Sequence, residues 1–258
     1  MKIKTYVINL KEAADRRAYV LAETAKCPCL DVELVEAVNG SLLSEDEVEK
    51  SFDCRKFEYR NHFQALPGEI GCTLSHHLCF RKLLDSDEKY ALIVEDDVVF
   101  WSTEMLENVL KACSNELSKK KAQVITLAEH RVGTVKGKPL GNGYYLHGVW
   151  LAFGTNAYLI NRDAAKRMLS VSRPFVVADD YYYIKTKGVC VSGILPALST
   201  GLTTINQMET QIQSKKYIAS SEKSVWFEIV NYLSGVCRGM LIRLGILCIR
   251  KSAWNDKG

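Results

Sequence analysis

No long segment of this chain carries a strong excess of one charge, with 34 Lys and Arg against 30 Asp and Glu and a formal net charge of +4. That balance is too mild for a nucleic-acid partner, although basic residues gather somewhat towards the C-terminus. The N-terminus, MKIKTYVINL, lacks an apolar signal region and a small-residue cleavage site, so secretion is not expected. The nine cysteines are odd in number and scattered, with no C-x-x-C pair and no Cys/His array at zinc spacing. They read as small apolar filler in a reducing compartment, with CPC at Cys27 to Cys29 taken as a loop. Repeats and low-complexity tracts are also missing. At 47% hydrophobic and 25% charged residues, the composition excludes a disordered chain and a polytopic membrane protein.

What is present suits one large α/β domain with a small appendage, given 258 residues. KTYVINL reads as a first strand and KEAADRRAYVLAETAK as an amphipathic helix behind it. DVELVEAVNG follows as a strand, and SEDEVEKSF has the cap and acids of a short helix or turn. LPGEIGCTLSHHLCFRKLL predicts a helix after a Pro-Gly entry, because Ile70, Leu74, Leu78 and Leu83 form an apolar face. Then come the strand YALIVEDDVVF, the helical TEMLENVLKACSNELSKKK and the strand AQVITLAEH. HGVWLAFGTNAYLINRDAAKRMLS reads as strand, turn, strand and helix. Such alternation predicts a mostly parallel or mixed sheet with helices on its faces.

YALIVEDDVVF raises the chemical question, because an apolar strand ends in Glu95, Asp96 and Asp97, each costly to bury unpaired. In α/β sheets ligands bind beyond the carboxyl ends of strands, which would aim these acids into a site. Alternation puts Glu95 and Asp97 on one face and Asp96 on the other. A hard divalent cation that keeps open positions for phosphate oxygens would compensate the charge. Helix capping by Asp97 or Ser102, with the other acids solvated, is the competing reading.

Four stretches in order, TYVINLKEAADRR, LPGEIGCTLSHHLCFRKLL, YALIVEDDVVF and FGTNAYLINRDAAKRML, resemble glycosyltransferase family 25, the bacterial lipooligosaccharide galactosyltransferase type related to collagen galactosyltransferases. The resemblance covers roughly Met1 to Ser214, and GEIGCTLSH with ALIVEDD is its specific part. It implies a GT-A-like, Rossmann-type mixed sheet flanked by helices. It also implies a UDP-sugar donor, usually UDP-galactose, Mn²⁺ or Mg²⁺, and inversion to a β-linkage on a saccharide or lipid-linked saccharide acceptor. Glu95, Asp96 and Asp97 then stand at the D-x-D position, with Asp97 as direct metal ligand and Glu95 at the metal or the ribose. Such a metal would stabilise the departing diphosphate as a Lewis acid.

Inversion needs a general base within reach of the acceptor hydroxyl. Asp179 and Asp180, in RPFVVADDYYYIKTKG, match the family's aspartate after the AYLI segment. Asp180 is favoured because the pattern slips by one residue, and Asp179 as a plain helix cap is the alternative. Donor contacts are expected from Asn9, Leu10, Arg16 and Arg17 after the first strand, where a guanidinium suits diphosphate oxygens. Glu69 and His76 are added from the GEIGCTLSH stretch, and Gly154, Thr155 and Asn156 as a wall of the sugar pocket. Asn156 departs from the small residue or His that the family more often has there. A solvated helix face for the arginines and a structural role for the histidine are the competing readings. TTINQMETQIQSKK is given no catalytic role.

After Ser214 the composition shifts to a polar linker and then to an apolar, arginine-spaced tail, so domains are expected at 1–214 and 215–258. Interrupting charges argue against a spanning helix. The tail reads as an amphipathic helix on an anionic membrane surface, which would put the protein peripherally on the inner face of the cytoplasmic membrane. Packing on the catalytic domain or on a second subunit, as a homodimer, is the other reading. A nucleotide-sugar or glycan-binding module that kept the scaffold and lost catalysis is the alternative function.

Overall fold

The computed structural model describes residues 2–119, 121–204 and 225–250, with the backbone alone for 225–231. The expected boundary near Ser214 and the linker after it lie outside the described residues.

Strand β1 (Ile3–Asn9) leads through α1 (Ala14–Ala25) to β2 (Leu30–Glu36), which pairs parallel with β1. A 3₁₀ turn (Gly40–Leu42) and helices α2 (Glu45–Ser51) and α3 (Cys54–Asn61) precede the long α4 (Pro67–Asp85). Sequence features set these starts. Ser44 and Glu47 form a reciprocal capping box on α2. Pro67 opens α4 where its missing N–H costs nothing, and Glu69 accepts from the Leu66 N–H at 2.8 Å.

Next come β3 (Tyr90–Glu95), β4 (Val98–Phe100) and α5 (Thr103–Leu117). Strands β5 (Gln123–Thr126), β6 (His130–Thr134), β7 (Lys138–Gly141), β8 (Tyr144–Ala152) and β9 (Ala157–Asn161) follow. Then come α6 (Arg162–Met168), α7 (Tyr181–Thr186), β10 (Cys190–Leu195), β11 (Ser199–Gly201), α8 (Val225–Arg243) and β12 (Leu247–Ile249).

The strands run β12-β6-β8-β10-β5-β9-β3-β1-β2, with β7 beside β8, and β4 and β11 form a separate two-stranded sheet. Both β2 and β3 are parallel to β1, whereas β9 is antiparallel to β3 and to β5, so the sheet is mixed as expected. Period-two alternation divides the core. Ile3, Val7, Leu92 and Val94 pack under α1 and α5, while Tyr6, Ile8, Ala91 and Ile93 pack under α4, α6 and α7. Because β1 sits between β2 and β3, the chain leaves it in one direction and returns on its other side. That opens a crevice at the carboxyl ends of β1 and β3.

The tail differs from the expectation of a helix throughout. Helix α8 ends at Arg243, Gly245 takes a positive φ of 68°, and β12 then pairs antiparallel with β6. Glycine allows that reversal, and LCI, rich in β-formers, extends the open sheet edge. Tyr232, Leu233, Met240 and Leu244 are exposed on and just after α8. Among the described residues, no helix is long and apolar enough to cross a membrane.

Candidate active site

The three acids do not share a face. Strand β3 ends at Glu95, and Asp96 and Asp97 form the turn into β4, so strict alternation stops before Asp97. Glu95 continues the alternation of Ala91 and Ile93 towards α4, where its Oε1 lies 3.3 Å from His76 Nε2. It also accepts from the Thr155 hydroxyl. Asp96 turns the other way, towards α1, and is gripped by Asn9 Nδ2 at 2.7 Å and Arg16 Nε at 2.8 Å. Asp97 turns towards the segment after β11, accepting from the Thr203 hydroxyl at 2.5 Å and the Thr203 N–H at 3.3 Å. The expectation that Glu95 and Asp97 lie on one face is therefore corrected: each acid has its own partner.

Their electrostatics differ accordingly. Burial pushes the Glu95 carboxyl up, but hydrogen bonding and charge from His76, with the Thr155 hydroxyl, outweigh it and hold it below the ordinary range. For Asp96, burial dominates over Arg16 and Asn9, and its proton affinity is raised. Burial and the Glu95 charge raise Asp97 as well. Asp97 is 4% exposed, and its Oδ1 has no hydrogen-bond partner among the described residues. An orphaned buried carboxylate oxygen is costly unless a cation meets it.

A cleft of about 190 Å³ opens over these groups. Asn9, Leu10 and Arg16 form one wall, the segment from Ala37 to Ser41 another, and Cys72, Ser75 and His76 of α4 the floor beside the acids. Small residues make this shape possible. A Cβ on Gly71 would stand 2.4 Å from the Val38 carbonyl oxygen, and one on Gly40 would stand 1.8 Å from that of Pro67. Ser75 fastens the same contact by accepting from the Val38 N–H at 2.9 Å. The GEIGCTLSH stretch thus brings the loop after β2 onto the first turns of α4.

The other expected residues separate. Arg17 donates to the Lys11 carbonyl and does not line the cleft; the helical spacing sends Arg16 inward and Arg17 along the surface. Glu69 serves the start of α4, and burial raises its carboxyl. Gly154, at φ 79°, donates its N–H to Asp179 Oδ2 at 2.8 Å. Thr155 braces Glu95, and Asn156 accepts from the Glu95 N–H and the Ser199 hydroxyl. Both hold the strand end instead of facing the cleft over the acids.

Asp179 and Asp180 have different surroundings. Asp180 caps α7, accepting from the Tyr183 N–H at 2.7 Å, and pairs with Arg60 at 2.7 Å. Asp179 lies behind Gly154; burial raises its carboxyl, and the charge of Glu95 acts in the same direction.

Sequence reasoning missed Thr203, Tyr158 and Cys72. Thr203 comes from a stretch given no role, and Tyr158 meets His76 Nδ1 at 2.8 Å from the start of β9. Cys72, His76 and Glu95 come together although no zinc-like spacing marks them, because one ligand lies on a strand. The helical interval of four between Cys72 and His76 was the available signal.

The sequence matches the family model described as glycosyltransferase family 25 (LPS biosynthesis protein) over residues 2–183. The chain belongs to glycosyltransferase family 25. Within that family, human procollagen galactosyltransferase 2 is 35% identical over 99 residues, 37% of this chain and 16% of the relative. A glycosyltransferase 25 family member of Aedes aegypti is 33% identical over 98 residues, again 37% of this chain and 16% of the relative. This family 25 chain thus aligns with about one sixth of the length of these curated relatives. Among solved structures, a Drosophila galactosyltransferase 7 mutant with manganese, UDP-galactose and xylobiose is similar at TM-score 0.40 and 9% identity. That match covers 87% of this chain and 82% of the other.

Proposed function

We propose that this chain is a metal-dependent inverting glycosyltransferase that moves a sugar, galactose from UDP-galactose by family preference, onto a saccharide or lipid-linked saccharide acceptor. The observation that carries this reading is Asp97, a buried carboxylate at the carboxyl end of the sheet with one oxygen held by Thr203 and the other unmatched among the described residues. The residues fit a divalent cation: Asp97 as ligand, Glu95 beside it at the metal or the ribose, and an open cleft for phosphate oxygens. When bound, Mn²⁺ or Mg²⁺ would supply Lewis-acid stabilisation of the leaving diphosphate.

The chain's own groups do the rest. Asn9 and Arg16 fix Asp96, which locks the turn that presents Asp97. Asp179 is the preferred base, since its raised proton affinity suits it to accept the acceptor hydroxyl proton. The freed oxygen attacks the anomeric carbon, and the bond to the diphosphate breaks with its electron pair leaving on UDP. Asp180, committed to α7 and Arg60, is the weaker candidate.

The test is UDP release from a panel of UDP-sugars, with Mn²⁺ or with EDTA, by the intact chain and by Asp97→Asn. Turnover of one sugar only with metal, lost in the folded variant, is expected. Absence of any turnover or binding would favour a module with no transfer chemistry or another ligand.

We also infer that the tail lies on an anionic membrane surface, since Leu233, Met240 and Leu244 are exposed close to Arg243. Cosedimentation with phosphatidylserine vesicles, but not with neutral ones, is the expected result; equal binding to both would remove the electrostatic part.

A further inference from the structure

Cys72 and His76 stand one helical turn apart on α4 and face the end of β3. The ligand atoms of Cys72, His76 and Glu95 all lie within 4.8 Å of one another. The contact between His76 Nε2 and Glu95 Oε1, at 3.3 Å, is long for a charge-assisted hydrogen bond. It matches the edge of a tetrahedron, since two ligands each about 2 Å from Zn²⁺ stand about 3.3 Å apart. The sulfur edges of the same tetrahedron are about 3.6 Å, and the Cys72 sulfur lies within 4.8 Å of both partner atoms.

The surroundings are also those of a metal-binding histidine. Tyr158 meets Nδ1 at 2.8 Å, and when Nδ1–H donates to the tyrosine oxygen, the Nε2 lone pair is freed towards Glu95. His76 is buried, while Glu95 and Cys72 border the cleft, which leaves a fourth position open to water or substrate. A hard Mg²⁺ has no preference for a thiolate, whereas a sulfur, nitrogen and oxygen set suits a softer ion.

We propose that Cys72, His76 and Glu95 form a binding site for a thiophilic divalent cation of the Zn²⁺ class. The site is separate from the Asp97 position and shares only Glu95 with it. It stands on these three side chains and does not depend on the transferase reading. Occupancy would engage the Glu95 oxygen that faces His76 and so change the charge this carboxylate offers the donor cleft.

The test is a Co²⁺ titration of the full chain, read by the thiolate-to-cobalt charge-transfer band and reversed by added Zn²⁺. The band is expected in the unaltered chain and in Asp97→Asn, and lost in Cys72→Ser. Tyr158→Phe is expected to weaken the affinity roughly 10-fold, the usual effect of removing a partner behind a metal ligand. Cys72→Ala gives the same reading should the serine variant fail to fold. Absence of a band, or a band that persists without Cys72 and so arises from other thiols, overturns the proposal. A Cys72-dependent band without turnover of any UDP-sugar would sink the transferase reading and leave this one standing. Turnover without the band would do the reverse.

Discussion

Two neighbouring aspartates illustrate how much position decides at the scale of a single residue. Asp180 completes a helix start and an ion pair, whereas Asp179, half-buried behind Gly154, has raised proton affinity. Removing the proposed base, Asp179, is therefore expected to cost turnover without much loss of structure. Asp179→Asn should lower kcat by roughly 100-fold or more, the range for general-base catalysis, with the melting temperature nearly unchanged. Asp180→Ala should instead lose about 1 kcal/mol of cap stabilisation and lower the melting temperature. Steady-state kinetics and thermal melts on both variants separate the roles; the opposite pattern would return the base to Asp180. The pair of aspartates could be picked out in the sequence, but their different surroundings could not. These depend on Arg60 and Gly154, which are remote in the chain from both.

At the scale of elements, the packing of α4 against the loop after β2 shapes the cleft. Gly71→Ala would place a methyl group 2.4 Å from a backbone oxygen, a clash that neither rigid partner can relieve cheaply. Overpacking of this kind costs about 1–3 kcal/mol. The expected outcome is a lower melting temperature together with a raised KM for the donor, because the loop also lines the cleft. A change in stability alone would show that the loop keeps its place.

The main strands and helices were legible because β1, β3, α4 and α5 carry strong apolar periodicity. Strands β7 and β11 were not, since they are short, nor was β10, whose pairing partners β5 and β8 lie far along the chain. The same reason hid Thr203, whose contact with Asp97 comes from the end of the β11 segment. Glu95 and Asp97 stand out in the sequence as acids at the end of an apolar strand, yet the turn at Asp96 and Asp97 was not foreseen. Alternation describes a strand only while the strand lasts.

At the scale of the whole molecule, the β6 end of the sheet holds a buried imidazole that stays uncharged. His130, the first residue of β6, has both ring nitrogens buried and without a hydrogen-bond partner among the described residues, and burial pulls its pKa down to about 3. The unfolded chain takes up a proton near pH 6.5 that the native state refuses. Stability from this group is therefore complete above that pH and falls as the pH drops towards about 3. The slope expected is about 1.4 kcal/mol per pH unit within that window. Chemical denaturation between pH 7 and pH 4 should show it, and His130→Leu should flatten the curve relative to the unaltered chain. An unchanged slope in the variant would assign the acid sensitivity to other groups.

The pairing of β12 with β6 ties the end of the sheet to residues that follow α8. During synthesis, β6 leaves the ribosome well before the segment that will cover it. Its free N–H and C=O groups then form an open template to which a strand from another nascent chain can add. A chain interrupted anywhere before Leu247 keeps that template permanently, even with every group of the cleft in place.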